Sequence, residues 1–98
     1  MVAISPYFLM ETMMRYEYHS FNNLRQGNVV NVNIKQSARV LVMDNLNLQN
    51  FNSGSQYEYF GGDYSSGMVN IQIPRSGIWN LVVLSLGNSA VHYNFNII

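Results

Sequence analysis

Apolar and polar residues alternate with a period of two along much of this chain. Val30, Val32 and Ile34 are separated by Asn31 and Asn33; Val69, Ile71 and Ile73 by Asn70 and Gln72; Val91, Tyr93, Phe95 and Ile97 by His92, Asn94 and Asn96. That spacing belongs to half-buried strands, whose successive side chains point to opposite faces. Residues 40–43 and 79–84 are apolar on both faces over part of their length. Those two should lie centrally, or have their outer face covered by a partner or a loop. With residues 15–19 and 57–60 the count reaches about seven short strands, separated by turn signals such as Gln26-Gly27-Asn28, Ser53-Gly54-Ser55 and Gly87-Asn88-Ser89. The pattern predicts an all-β fold, a compact antiparallel β-sandwich or a partly closed barrel.

No window carries a convincing helical period. In the longest polar connection, residues 44–52, Asp44 or Asn45 is suited to cap a single helical turn over residues 46–49, with Leu46 and Leu48 packed beneath the loop. Residues 1–13 depart from the pattern. They read as an N-terminal extension, either disordered, or helical over residues 7–14, or used in self-association, ahead of a single sandwich domain spanning 14–98.

Composition narrows the chemistry. The 98 residues are 48% hydrophobic but only 10% charged, and asparagine and serine supply the missing polarity. The formal net charge is zero and Lys35 is the only lysine, so a nucleic-acid partner is not expected. A neutral, charge-poor surface resists self-association weakly, which makes a homo-oligomer a reasonable expectation. Without cysteine there is no disulfide framework, thiolate metal site or cysteine nucleophile, and the cytoplasm fits. The first residues lack the basic region and cleavage site of a signal peptide. No apolar run approaches a membrane-spanning length.

Few residues carry recognisable chemistry. His19 and His92 fall on different strands, His19 sharing a face with Arg15 and Glu17, and both read as solvated rather than metal-bound. Asp44 follows an apolar strand, where catalytic acids are often mounted, but the position suits an Asx turn or helix cap equally well. There is no Gly-x-Ser-x-Gly elbow for a serine nucleophile. Gly61-Gly62 could bring backbone close to a phosphate, although a glycine pair after a strand is more often a turn or bulge. Tyr57, Tyr59, Phe60, Tyr64 and Trp79 concentrate near that pair, beside the amides of Asn45, Asn47, Asn50, Asn52 and Gln56. Rings for stacking beside amides for hydrogen bonding suit a sugar or a nucleobase; the competing reading puts Trp79 and one tyrosine set in the core. The candidate binding residues are therefore Asp44, Asn45, Asn47, Gln56, Tyr57, Tyr59, Gly61, Gly62, Tyr64 and Arg75, with Arg39 and Arg75 as the cations for an anionic ligand.

Val40-Leu41-Val42-Met43-Asp44, Asn47, Phe51, Gly54, Tyr57-Glu58-Tyr59-Phe60-Gly61-Gly62, Pro74, Gly77 and Trp79 form an ordered series. It resembles the small bacterial family called domain of unknown function 1883, over nearly the whole chain from Met14. The resemblance implies a compact β-sandwich and no established reaction. Many relatives carry Asp-Leu-Gly-Gly where this chain has Ser85-Leu86-Gly87-Asn88, so a role for that aspartate does not carry over. Some relatives are fused to TIR domains, which make or answer nucleotide-derived immune signals in bacteria; the resemblance thus suggests a sensing role in defence. The expected function is a non-enzymatic recognition module, without a cofactor, for a small ligand, which the resemblance suggests is nucleotide-derived, or for a protein partner. A self-assembling structural protein and a carbohydrate-binding module are the alternatives.

Overall fold

The computed structural model describes residues 16–87 and 90–98. The expectations for residues 1–13 lie outside the described residues, as does part of the turn at 87–89. Seven strands form two antiparallel sheets: β1 (Tyr16–Leu24), β2 (Val29–Ile34), β3 (Ala38–Asp44), β4 (Phe60–Tyr64), β5 (Gly67–Gln72), β6 (Gly77–Ser85) and β7 (Tyr93–Ile97). The larger sheet has the order β1-β6-β3-β4 and the smaller β5-β2-β7. Both sheets are open, so the fold is a sandwich and not a barrel. Among the described residues no helix is long and apolar enough to cross a membrane.

The alternating positions meet between the sheets. Val30, Val32 and Ile34 of β2, Val69 and Ile71 of β5, and Val40, Val42, Trp79, Leu81 and Val83 of the larger sheet form one buried cluster. Each strand therefore places its apolar set on the facing side, as a period of two requires. The two-sided apolar strands, β3 and β6, are the central pair of the larger sheet, in register from Ala38 opposite Ser85 to Asp44 opposite Trp79.

Their outer faces need a second cover, and this is where the structure departs from the pattern. Asp44 caps the predicted turn, its carboxylate accepting the backbone N–H of Asn47 at 3.0 Å. The turn, however, continues into helix α1 (Asn45–Ser53), closed by Gly54 at φ 80° with its N–H on the Asn50 carbonyl. Phe51 of this helix, with Tyr57 and Tyr59 after it, packs on Leu41, Met43, Val82 and Leu84 as a second buried cluster. Leu48 packs at its margin, whereas Leu46, also expected beneath the loop, is exposed. The ring of Phe51 meets those of Tyr16 and Tyr57 edge-on at 5.1 and 5.0 Å.

Two strand boundaries also differ from the expectation. β1 runs on to Leu24, past a register shift between Phe21 and Leu24. The strand expected over residues 57–60 instead begins at Phe60 and contains the glycine pair, because Tyr57 and Tyr59 cover the sheet rather than join it.

Candidate functional site

The residues singled out by sequence do not form one surface. Asp44, Asn45, Asn47 and Arg75 gather at the N-terminus of α1. Asp44 caps the helix, accepts the Asn47 amide at 2.9 Å and pairs with the Arg75 guanidinium at 2.7 Å. The side-chain Oδ1 of Asn47 accepts the backbone N–H of Glu58 at 2.8 Å. Asn45 accepts from the fully buried Asn80, which in turn accepts from Ser20 at 2.6 Å. Arg75 lies over the Trp79 ring, 4.8 Å from its centroid, and its carbonyl receives the indole N–H. These polar groups hold the helix, the 54–59 segment and β6 together.

Tyr57 and Tyr59 are buried beneath that segment, so neither offers an open ring. The Tyr57 hydroxyl is the buried side-chain polar atom that has no hydrogen-bond partner among the described residues. Burial pushes its phenol well above the usual range, against the opposing pull of the nearby Arg39 guanidinium. Arg39 itself grips Asp63 with Nε and Nη2, which raises the guanidinium and holds the Asp63 carboxyl below its ordinary value.

Gln56 is exposed. Gly61 and Gly62 pair with Leu41 and Val40 inside β4, and Tyr64 pairs with Ala38, at the opposite end of β3 from Asp44. Six steps along the strand separate those ends by about 20 Å. The glycine pair serves strand packing: a Cβ on Gly61 would stand 2.0 Å from the Val40 carbonyl oxygen.

A different set of groups converges at the open side of the sandwich, where β1 and β7 end the two sheets. A cleft of about 650 Å³ is lined there by Glu17 and His19 of β1, Lys35 beyond β2, and residues 91–95. The Tyr93 hydroxyl donates to Glu17 at 2.8 Å and meets His19 Nε2 at 2.7 Å. A carboxylate can only accept, so the phenol proton points to Glu17 and Nε2 must carry the proton it shares with Tyr93. Burial, then the hydrogen bond to Glu17 and its charge, hold the Tyr93 phenol above its usual range. The His19 ring lies 4.5 Å, centroid to centroid, from Phe95. His19 is therefore not solvated as expected, because the β1 face it shares with Glu17 looks onto β7; His92, on the outer face with Asn94 and Asn96, is exposed. Among the described residues no group of three or more acidic or imidazole side chains could hold a metal ion.

The backbone of β7 completes the cleft. Val29 and Ile98 exchange both hydrogen bonds, at 2.7 and 2.9 Å, and Lys35 donates to the His92 carbonyl at 2.9 Å. In an antiparallel ladder the pairing residues alternate, so residues 92, 94, 96 and 98 are turned toward β2. The N–H and C=O groups of Val91, Tyr93, Phe95 and Ile97 consequently point to the side of β7 on which no described strand pairs. β7 also lacks the charge, proline or bulge with which edge strands are commonly blunted.

Sequence reasoning missed this cleft. Glu17 and His19 were visible as neighbours on one face, and Tyr93 and Phe95 on another, but only the sheet order lays those faces against each other.

These features define a compact all-β fold with a helix-covered outer face and, among the described residues, an unblunted edge at β7. The Domain of unknown function (DUF1883) family matches residues 14–96, and the chain belongs to that family. No curated protein and no solved structure matches it.

Proposed function

We propose that this protein is a non-enzymatic recognition module that takes a protein partner by adding an extended segment of it to the free edge of β7. The observation that carries the reading is the run of outward-turned backbone groups at Val91, Tyr93, Phe95 and Ile97 beside the cleft. Strand addition draws its affinity from main-chain hydrogen bonds and its selectivity from flanking side chains. Here Glu17, with His19 and Tyr93, borders the inner side of an added strand, while Lys35 and His92 border the outer side. The protein-partner branch is favoured over a small ligand at the helix N-terminus, where the side chains of Asp44, Asn45 and Asn47 already satisfy one another and their neighbours.

The test is an amide NMR titration with peptides selected on the purified protein. Slowed hydrogen exchange and shifts at Val91, Tyr93, Phe95 and Ile97 are expected, and N-methylation of the Phe95 amide by semisynthesis should abolish them. Selected peptides that perturb only the α1 face, or that bind the N-methylated protein equally well, would refute the reading.

A further inference from the structure

We infer that the segment added to β7, when nothing else occupies the edge, is β7 of a second copy of this chain, giving a two-fold dimer with one continuous six-stranded sheet. The inference rests on the strand-addition reading above and names its occupant. Its basis is that the edge is complementary to itself. The strand reads Tyr93-Asn94-Phe95-Asn96-Ile97, without a charge. An antiparallel pair centred on Phe95 uses the whole strand. Phe95 then faces Phe95 of the second copy, and Tyr93 faces Ile97 in both directions. All three residues are of the outward-turned class, so each pairing exchanges two hydrogen bonds, about six in all.

The side chains agree with that register. Asn31 lies opposite Asn70 on one side and Asn96 on the other, and its amide donates to Asn70 at 2.7 Å. The outer face of the smaller sheet thus carries a row of asparagines, followed by the row Asn33 and Asn94. In the Phe95-centred dimer Asn94 of one copy stands beside Asn96 of the other, and both rows run across the new pairing. Uncharged amides can donate and accept in either direction. Lys35 and His92 lie beyond the paired strand, and each Glu17 stays on its own Tyr93 at opposite ends of the pair, so like charges do not meet across the junction, and the chain's zero net charge gives no long-range repulsion. β5, the other edge of this sheet, is also uncharged, but a β5–β7 contact would be head-to-tail and would build a ring or a filament in place of a two-fold dimer.

The experiment is sedimentation velocity on the full chain from low micromolar to near-millimolar concentration. It is repeated on two surface variants, Asn94→Lys/Asn96→Lys and Asn94→Lys/Asn96→Glu, whose folds are checked by circular dichroism. Both positions are exposed, so the fold should survive. The wild type should dimerise with concentration. The double-lysine variant sets like charges beside each other at two symmetric places and should weaken dimerisation about tenfold or more at low salt. The lysine–glutamate variant sets opposite charges there and should restore it. A wild type that stays monomeric, or a dimer indifferent to both variants, would overturn the inference. A monomer whose β7 amides are still protected by a bound peptide would overturn this occupant alone, whereas peptides that leave those amides untouched would overturn the edge reading itself.

Discussion

Replacing Gly61 by alanine should distinguish a glycine that packs strands from one that cradles a ligand. Gly61 has φ +122°, and an added Cβ would stand 2.0 Å from the Val40 carbonyl oxygen, 3.1 Å from its carbon and 3.2 Å from Ile71 Cδ1. Val40 is fully buried and in register with Val83 of β6, so its carbonyl cannot retreat cheaply. β4 must move instead. The backbone strain costs about 1–2 kcal/mol, and losing about two ladder hydrogen bonds adds about 1 kcal/mol each. Gly61→Ala should therefore destabilise the protein by about 3–4 kcal/mol, a large share of the roughly 5–15 kcal/mol typical of a domain. Gly27 is the control. Its φ is +93°, but nothing lies within 4 Å of its added Cβ, so Gly27→Ala should carry only the strain, about 1–2 kcal/mol. Urea unfolding followed by the fluorescence of buried Trp79 reads both variants. If they agree within about 0.5 kcal/mol, the close approach of β4 to β3 is wrong, and Gly61 is free for the backbone cradle that its sequence also allows.

Asp44→Ala should cost about 1–2 kcal/mol through the lost helix cap, while Asp44→Asn, which keeps a capping oxygen, should cost less than about 0.5 kcal/mol, since the Arg75 partner is 62% exposed; equal losses in urea unfolding would contradict the cap. Tyr57→Phe removes a buried hydroxyl that has no partner among the described residues, and should be neutral or stabilise by about 1 kcal/mol; a clear loss in calorimetry would mean that the hydroxyl is satisfied in solution. Tyr57 and Tyr93 both have phenols raised in the folded state, so the unfolded chain releases those protons first, near pH 10. Their contribution is fully present below that pH and is lost as pH climbs toward the higher folded values, so urea midpoints should fall above about pH 10 and Tyr93→Phe should flatten the fall.

Period-two alternation made most of the sandwich legible, because one buried face forces it on every half-exposed strand. The central placement of β3 and β6 was readable for the complementary reason: a strand apolar on both faces needs two covers. Helix α1 was legible only at its ends. Asp44 stands out as a cap, and Gly54 marks the left-handed stop, yet the asparagine-rich residues between them have little helical preference of their own. What sustains the helix is the bare outer face of Leu41, Met43, Val82 and Leu84, a demand made by residues distant in sequence. The same demand removes Tyr57 and Tyr59 from the candidate surface. Their spacing read as one face of a strand, but the local pattern does not say whether that face looks outward or down.

The open cleft follows from how the two sheets are covered. The larger sheet has a helix and aromatic segment on its outer face, whereas the smaller presents a plain row of amides. β3 and β6 are paired on both sides, and the shift in β1 and the glycine pair with Asp63 in β4 interrupt two of the edges. In the smaller sheet β5 is likewise uncharged, and β7 has none of these devices. It nevertheless keeps the Tyr93 hydroxyl anchored to Glu17 and His19 across the gap between the sheets. An unblunted edge is a hazard when exposed and an advantage when a partner regularly occupies it. On the strand-addition reading we propose, an uncharged edge with an anchored aromatic beside it is a place of attachment and not an oversight in the fold.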